Sequence, residues 1–386
     1  MKVLFSSQAT IEYDGKDYYS NAIPDTYTRY QVLGKDITLL CHARKVEKAN
    51  SQRINPDDIT IIPIPKYNSV KSMLFETGKT EEIVREEVHK ADVCIIHLGS
   101  NHGYMAVKYA KKYHKPYMTV ICGCTWDSLW NYDWRGKIMA PRAFLKLRHA
   151  QHDAPWSIYV TKEFLQRRYP TSGKWIACSN VDISTGQSGV LEKRLENIKE
   201  RQATGRRLLI GTAAAIDVPY KGQEYVIRAV AQLKSIGIDM EYHMIGLGDS
   251  SRLQSIIDSL GVGDRVHILG GLPHDKVTEF YDDIDIYVQP SKQEGLPRST
   301  IEAMSRGCLC LGSAIAGIPE LLAPEYLFPK GQVDRIVEIL KNIKPEDLIT
   351  QAKLNFEEAK DYDRDLLNER RRQFILDFKE SIMHSS

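Results

Sequence analysis

The sequence predicts an α/β protein built from two doubly wound domains in series. Three observations carry this prediction: short apolar runs recur along the chain, helical patterns separate them, and a polar and charged stretch after residue 183 interrupts the alternation. Strands that alternate with helices form parallel sheets with helices on both faces. The 386 residues also exceed the size of about 250 to 300 at which single cores stop growing.

The first half of the chain, residues 1–183, is predicted to form one domain. Its apolar runs predict strands at residues 2–5, 37–41, 60–64, 93–97 and 118–121. A helical pattern covers residues 103–113, and residues 6–17 are expected to form the loop after the first strand. This order of elements predicts a parallel sheet.

The second half, residues 184–355, repeats the alternation more regularly. Its strands are predicted at residues 208–211, 241–245, 266–269, 285–288 and 308–312. Helices are predicted at about residues 223–235, 250–260, 274–282 and 298–306. The last segment, residues 356–386, has a charge-rich helical pattern with an apolar stripe.

Composition narrows the class of protein. Hydrophobic residues make up 42% and charged residues 26%, which is typical of a globular protein that buries a sizeable core. The N-terminus becomes polar at Ser6, too soon for a signal peptide, and no run of about 18 apolar residues occurs. We therefore expect a cytoplasmic protein.

The seven cysteines favour free thiols in a reducing compartment, because most of them lie within apolar runs. The C-x-C pairs at Cys122 and Cys308 have no second pair or nearby histidines at metal-ligand spacing. We expect no metal site.

Positive charge is concentrated in the first half. Residues 105–174 contain 13 Lys and Arg against 4 Asp and Glu, although the whole chain carries only +2. A solvated helix surface accounts for such an excess, and so does a patch for an anionic phospholipid surface or a lipid-diphosphate acceptor. No nucleic-acid partner is expected, since no basic and aromatic reader motif is present.

The most informative segment is residues 285–304. A strand ends at Pro290, a Gly295-Leu296-Pro297 turn follows, and helix-forming residues begin near Arg298. Ligands of doubly wound sheets bind at this strand edge, and the backbone N–H groups that open a helix favour an anion. The sequence therefore predicts that the donor and its diphosphate bind at Gly295, Leu296, Pro297, Arg298 and Ser299.

Two carboxylates frame that turn. Glu294 can accept hydrogen bonds from sugar hydroxyls, and Glu302, one turn into the helix, can accept them from a ribose diol. From spacing alone, a loop charge and a surface helix residue are equally good interpretations.

The spacing E-x7-E, with Gln289-Pro290-Ser291 before it and Gly317-Ile318-Pro319-Glu320 after it, closely resembles glycosyltransferase family four over about residues 208–335. The resemblance implies the GT-B fold, with two Rossmann-like domains facing across a cleft and a C-terminal helix crossing back to the first domain. It also implies retaining transfer from a nucleotide sugar without a required metal or cofactor.

The resemblance assigns further donor residues. Lys221 matches the family lysine that holds the donor diphosphate, while the expected arginine before it is missing, so Arg298 is a candidate substitute. Gly246 and Gly248 resemble the family's glycine turn, and Leu272 lies in the loop that meets the nucleobase. Outside this context, such glycines indicate only tight turns.

The acceptor side departs from the family. Cys122 stands where a histidine is expected after a strand. The catalytic candidates are Glu294, Lys221, His102 and Asp127. For His102 the alternative is a structural hydrogen bond. For Asp127 it is a helix cap beside a tryptophan cluster. The run from Trp126 to Asn131 resembles transferases of bacterial capsule and O-antigen clusters.

The sequence thus predicts a retaining hexosyltransferase, with a UDP-sugar favoured as donor and a glycan or lipid-linked sugar as acceptor. It would be cytoplasmic and peripheral to the inner face of the membrane. Two alternatives stay open: a sugar-nucleotide epimerase of similar fold, and a non-catalytic nucleotide-sugar-binding subunit.

Overall fold

The computed structural model describes residues 1–65 and 70–385, apart from the side chains of residues 70–76, 274 and 385. The chain forms two compact units. The first unit consists of residues 1–125, 141–178 and 368–386, and the second of residues 126–140 and 179–367. The break after residue 178 lies close to the predicted boundary at 183, whereas no sequence feature indicates that residues 126–140 belong to the second unit.

The first unit contains a predominantly parallel sheet. Its strands are β1 (Lys2–Tyr13), β2 (Tyr18–Tyr19), β3 (Asp36–Lys45), β4 (Thr60–Ile64), β5 (Val93–His97), β6 (Tyr117–Ile121), β7 (Trp156–Tyr159) and β8 (Lys174–Ala177). The helices in this half of the chain are α1 (Ile23–Thr28), α2 (Val70–Lys90), α3 (Asn101–Lys112), α4 (Thr125–Trp130), α5 (Trp134–His152) and α6 (Phe164–Arg168). The strand order is β4-β3-β1-β5-β6-β7-β8, and β2 pairs antiparallel with β1.

Strand β1 differs from its prediction. Residues 6–13, expected as a loop, continue the strand, and Thr10–Tyr13 pair with residues 42–45 of β3 after an irregularity in register. Polar residues at Ser6, Ser7 and Gln8 end the apolar run without ending the strand. Alternation resumes with buried Ile11, which explains why an apolar-run criterion stopped too early.

The second unit contains an all-parallel sheet. Its strands are β9 (Leu208–Ala213), β10 (Met240–Ile245), β11 (Val266–Gly270), β12 (Ile286–Gln289), β13 (Leu309–Ser313) and β14 (Leu327–Phe328). Its helices are α7 (Val190–Thr204), α8 (Gln223–Ser235), α9 (Ser251–Leu260), α10 (His274–Asp283), α11 (Arg298–Ser305), α12 (Val333–Asn342) and α13 (Pro345–Ala359). The strand order β11-β10-β9-β12-β13-β14 is that of a doubly wound sheet.

The predicted C-terminal helix is two helices. Helix α13 ends at Ala359, a 3₁₀ turn covers Lys360–Tyr362, and α14 (Arg364–Ser385) follows. Phe374 and Phe378 of α14 pack against Trp156, with ring centroids 4.9 and 5.6 Å apart. The helix that returns to the first unit is therefore confirmed.

The remaining predictions divide by unit. In the second unit, every predicted strand and helix is present within about two residues at most ends. In the first half of the chain, strands β2, β7 and β8 and helices α1, α2, α4, α5 and α6 were not predicted. Cys41, Cys94, Cys308 and Cys310 are buried free thiols, as expected. Among the described residues, no helix has the length and apolar content needed to cross a bilayer.

Candidate nucleotide-sugar site

The candidate site lies at the carboxyl edge of the second sheet. Strands β9 and β12 are neighbours there, and the strand order runs outward in opposite directions from this pair. In doubly wound sheets, ligands bind in the crevice outside the carboxyl ends of the strands at such a switch point. The loop after β9 carries Lys221, and the loop after β12 carries Glu294.

Lys221 and Glu294 form an ion pair at this crevice. The Lys221 ammonium Nζ lies 2.6 Å from Glu294 Oε1, and the two side chains are 22% and 12% exposed. Backbone contacts hold the two loops together, since the Lys292 N–H donates to the Tyr220 carbonyl at 2.7 Å. A cation and a carboxylate are therefore placed side by side, partly open to solvent.

Gln289, the last residue of β12, organises the carboxylate. Its Nε2 donates to Glu294 Oε1 at 3.0 Å and to Ser291 Oγ at 2.8 Å, and Ser291 Oγ donates to the same Glu294 oxygen at 2.7 Å. Among the described residues, the hydrogen bonds to Glu294 all end on Oε1. The second carboxylate oxygen is thus left to accept from a ligand hydroxyl.

A glycine permits the close approach of the two loops. Gly222 has a φ of +75°, and a Cβ at this position would lie 2.0 Å from the Pro290 carbonyl oxygen. Only glycine combines this backbone conformation with so short an approach. The residue that follows Lys221 therefore determines how near the lysine can come to the β12 loop.

Helix α11 begins beside this pair. Leu296 and Pro297 are buried, and the Gly317 N–H donates to the Gly295 carbonyl at 2.9 Å, so the turn before the helix is anchored. Arg298 is exposed at the first helical position. Ser299 Oγ donates to Gln289 Oε1 at 3.1 Å, which ties the first turn to the same network.

Glu302 is held by a tyrosine of helix α10. Its Oε2 accepts a hydrogen bond at 2.9 Å from the hydroxyl of Tyr281, a side chain that is 2% exposed. Burial, followed by the charge of Glu302, raises the pKa of Tyr281 well above its usual range, so Tyr281 remains a donor. The carboxylate is oriented rather than free to rotate.

The predicted glycine turn packs against the loop after β9. Gly246 has a φ of +152°, and an added Cβ would lie against the Ala214 carbonyl; Gly248 has a φ of +127° beside Asp217. Ile216 N–H donates to the Leu247 carbonyl at 2.9 Å. Leu272, half-buried, follows β11 on the same edge of the sheet.

Residues 126–140 bring a further segment into the second unit. Asn131 Nδ2 donates to the Lys292 carbonyl at 3.1 Å and to the Asp127 carbonyl at 2.8 Å. Asp127, in the first turn of α4, is half-buried. Its predicted catalytic role stays a prediction, but its segment contacts the loop that carries Glu294.

His102, the other catalytic candidate, belongs to the first unit. Its ring is 1% exposed, and Nε2 donates to the Ser7 carbonyl at 2.9 Å. Burial lowers its pKa to about 4. These contacts match the structural hydrogen bond that was the alternative interpretation. Cys122, where the family places a histidine, is half-buried after β6.

One group of side chains has the composition of a metal site. Within the described residues, Glu241, His243 and His267 place a ligand atom each within 4.8 Å of one another on β10 and β11. Glu241 is already engaged by Arg207, whose Nη1 lies 3.1 Å from it. Neither strand belongs to the β9 and β12 pair that bounds the crevice.

Sequence reasoning missed the residues that orient the two carboxylates. Gln289 was quoted as part of a motif, and Tyr281 received no role. A polar residue at the end of an otherwise apolar strand was the available signal for Gln289. Tyr281 gave no signal, since its contact with Glu302 joins two helices separated in sequence.

Comparison with known proteins gives a family match in the second half of the chain. Residues 195–358 match the family model described as glycosyl transferases group 1. Protein CapJ from Staphylococcus aureus is 28% identical over 88% of this chain and 85% of its own. The amylovoran biosynthesis glycosyltransferase AmsK from Erwinia amylovora is 29% identical over 47% and 48%. The residues that match the family model all lie in the second unit.

A solved structure extends the likeness to the whole fold. Anabaena Alr3699/HepE in complex with UDP-glucose superimposes with a TM-score of 0.62 at 16% identity, covering 100% of this chain and 99% of that one. Two parallel-sheet Rossmann-like units with this likeness define the GT-B fold class.

Proposed function

We propose that this chain is a retaining glycosyltransferase that moves a hexose from a nucleoside-diphosphate sugar to a glycan or lipid-linked acceptor. The observation that carries the proposal is the Lys221 and Glu294 pair, 2.6 Å apart, beside the first turn of α11. This site joins a cation, a helix N-terminus and oriented carboxylates. Those are the groups that a diphosphate and a sugar require.

Stabilising the departing diphosphate is the main catalytic task. The bond between the anomeric carbon and the diphosphate oxygen breaks as negative charge develops on that oxygen. Lys221 and the N–H groups that open α11 would face that charge, and exposed Arg298 would supply the second cation. No metal ion is then needed for charge stabilisation.

Glu294 and Glu302 would orient the donor. Glu294 Oε2 would accept from a sugar hydroxyl, and Glu302 from the ribose diol. The acceptor oxygen would bond to the anomeric carbon on the face that the diphosphate leaves, with its proton passing to the departing diphosphate oxygen. Retention follows because attack and departure share one face.

The remaining assignments follow from this arrangement. Gly246, Gly248 and Leu272 would receive the nucleoside, and Asp127 would position the acceptor. The UDP-glucose held by the HepE structure supports a UDP-sugar donor, and the name of AmsK supports surface polysaccharide synthesis. We place the enzyme in the cytoplasm, peripheral to the membrane.

Donor binding and transfer test this proposal together. Thermal unfolding would be measured with UDP, GDP and ADP and with their sugars, where a ligand at 100 times its Kd stabilises by about 2.7 kcal/mol. We expect a UDP-sugar to raise Tm most. We also expect extracts that contain glycans or lipid-linked sugars to accelerate the release of UDP, with the sugar transferred in α linkage. No shift with any nucleotide would contradict the proposal.

The alternatives give different products. A sugar-nucleotide epimerase converts its nucleotide sugar without any acceptor, and nuclear magnetic resonance of that incubation would show the epimer. A non-catalytic subunit would bind a nucleotide sugar and release no nucleoside diphosphate under any acceptor condition.

A further inference from the structure

Helix α5 exposes an apolar stripe that the site does not use. Trp134, Ile138 and Leu145 are 66%, 69% and 63% exposed, and Pro141 is exposed between them. Their spacing of i, i+4, i+7 and i+11 places them on one face of the helix. We call this set the α5 stripe.

The opposite face of α5 already accounts for folding. Gly136, Ala140, Leu147 and Ala150 are buried and follow their own helical spacing. A helix that only covers a core needs one apolar face and a polar one. The α5 stripe is therefore a second apolar face that packing of this chain does not explain.

Positive charge borders the stripe on both sides. Helical geometry places Arg135, Arg142 and Lys146 along one side and Lys137 and Arg148 along the other. All five are exposed, and α5 contains no Asp or Glu between residues 134 and 152. An apolar band flanked by cations is the pattern of a helix that lies in a lipid interface.

The loop before α5 extends the same surface. Tyr132 is 80% exposed and Trp130 39% exposed, and Lys137 Nζ lies 6.0 Å from the Trp130 ring centroid. Tyrosine and tryptophan favour the boundary between lipid headgroups and hydrocarbon. The neighbouring acid, Asp133, makes a hydrogen bond within its own turn, because its Oδ1 accepts from the Gly136 N–H at 2.7 Å.

We propose that the α5 stripe, with Trp130 and Tyr132, inserts into the surface of a bilayer that contains anionic phospholipid. The basic border would contact phosphate headgroups while Trp134, Ile138 and Leu145 enter the interface. This inference deepens the peripheral location in the proposed function and rests on it. It would place a lipid-linked acceptor in the same membrane.

Vesicle flotation tests the proposal with the full chain. We expect binding to vesicles of phosphatidylcholine mixed with phosphatidylglycerol, weaker binding to phosphatidylcholine alone, and loss with rising salt. The variant Trp134→Ser/Ile138→Ser/Leu145→Ser should lower affinity at least ~10-fold, and Arg135→Gln/Arg142→Gln should remove the preference for anionic vesicles. All of these positions are exposed, so the fold should persist.

The matched control is Ile236→Ser/Leu354→Ser, which removes two other exposed apolar side chains, 54% and 57% exposed. It should bind vesicles like the original chain. The proposal would be overturned if the stripe variant bound vesicles as well as the original chain does. It would also be overturned if the original chain bound no vesicles and instead formed a dimer that the stripe variant does not form. The UDP-sugar-induced rise in Tm should survive in the stripe variant, so failure here is distinct from failure of the transferase proposal.

Discussion

The two sheets reverse their strand order at corresponding points but carry different chemistry there. In the second unit, the edge between β9 and β12 presents the partly exposed pair of Lys221 and Glu294. In the first, the edge between β1 and β5 is filled by His102, buried and bonded to the Ser7 carbonyl. The same topology thus offers an edge in both units, and the side chains decide whether it can receive a charged ligand.

Of the substitutions that test this difference between the units, Lys221→Ala should have the largest effect on the rate of transfer. Removing the cation would leave the departing diphosphate charge without its main partner, and we expect turnover to fall by about 10² to 10³. Initial rates of nucleoside diphosphate release would measure it. Lys234→Ala, which removes a surface lysine paired with Asp264 at 2.7 Å, is the control and should leave the rate unchanged. A normal rate in Lys221→Ala would remove this residue from the mechanism.

Gly222→Ala tests the approach of the two loops through stability. The left-handed backbone and the clash with the Pro290 carbonyl should together lower the free energy of unfolding by about 3 kcal/mol. Gly205→Ala is the matched control: its φ is +64°, but nothing lies within 4 Å of the added Cβ. It should cost about 1 kcal/mol. If urea unfolding gave the same loss of stability for Gly222→Ala and Gly205→Ala, the clash with the Pro290 carbonyl would make no contribution to the free energy of unfolding.

His102 should make the first unit sensitive to acid. Its pKa is about 4 in the folded chain against 6.5 for an ordinary histidine, so the unfolded chain binds the proton first as pH falls. Stability is then complete above pH 6.5 and decreases toward pH 4, by about 2 kcal/mol at pH 5. Urea unfolding at several pH values would measure the slope. It should become shallower in His102→Gln, with the remainder coming from His97, whose pKa burial also lowers to about 4. An unchanged slope in that variant would assign the acid sensitivity to other groups.

Tyr281→Phe should have the smallest effect. Without the hydroxyl, Glu302 would lose one oriented hydrogen bond of about 1 kcal/mol. We expect KM for the nucleotide sugar to rise several-fold with kcat nearly unchanged, since the ribose is held equally before and during reaction. Tyr242→Phe, which removes a buried hydroxyl bonded to Thr212 at 2.9 Å, controls for loss of stability. A fall in kcat alone would contradict the assigned role of Glu302.

The contrast between units also explains what sequence could predict. In the second unit, strands such as β12 are buried along their length, so apolar runs and strand limits coincide. In the first, β1 passes through Ser6 and Ser7, and α5 has apolar residues on two faces, so neither matches a simple period. Glu294 and Lys221 were found through motifs, whereas Gln289 and Tyr281 act through contacts that only the folded chain creates.

The last helix has a consequence for biosynthesis. Phe374, Ile375 and Phe378 of α14 are buried, and the two phenylalanines pack on Trp156, more than 200 residues earlier in the chain. A ribosome releases the sequence from its N-terminus, and domains usually fold as they emerge. Here the first unit cannot complete its core until residues 374–378 have left the exit tunnel, so the part of the protein made first is finished last.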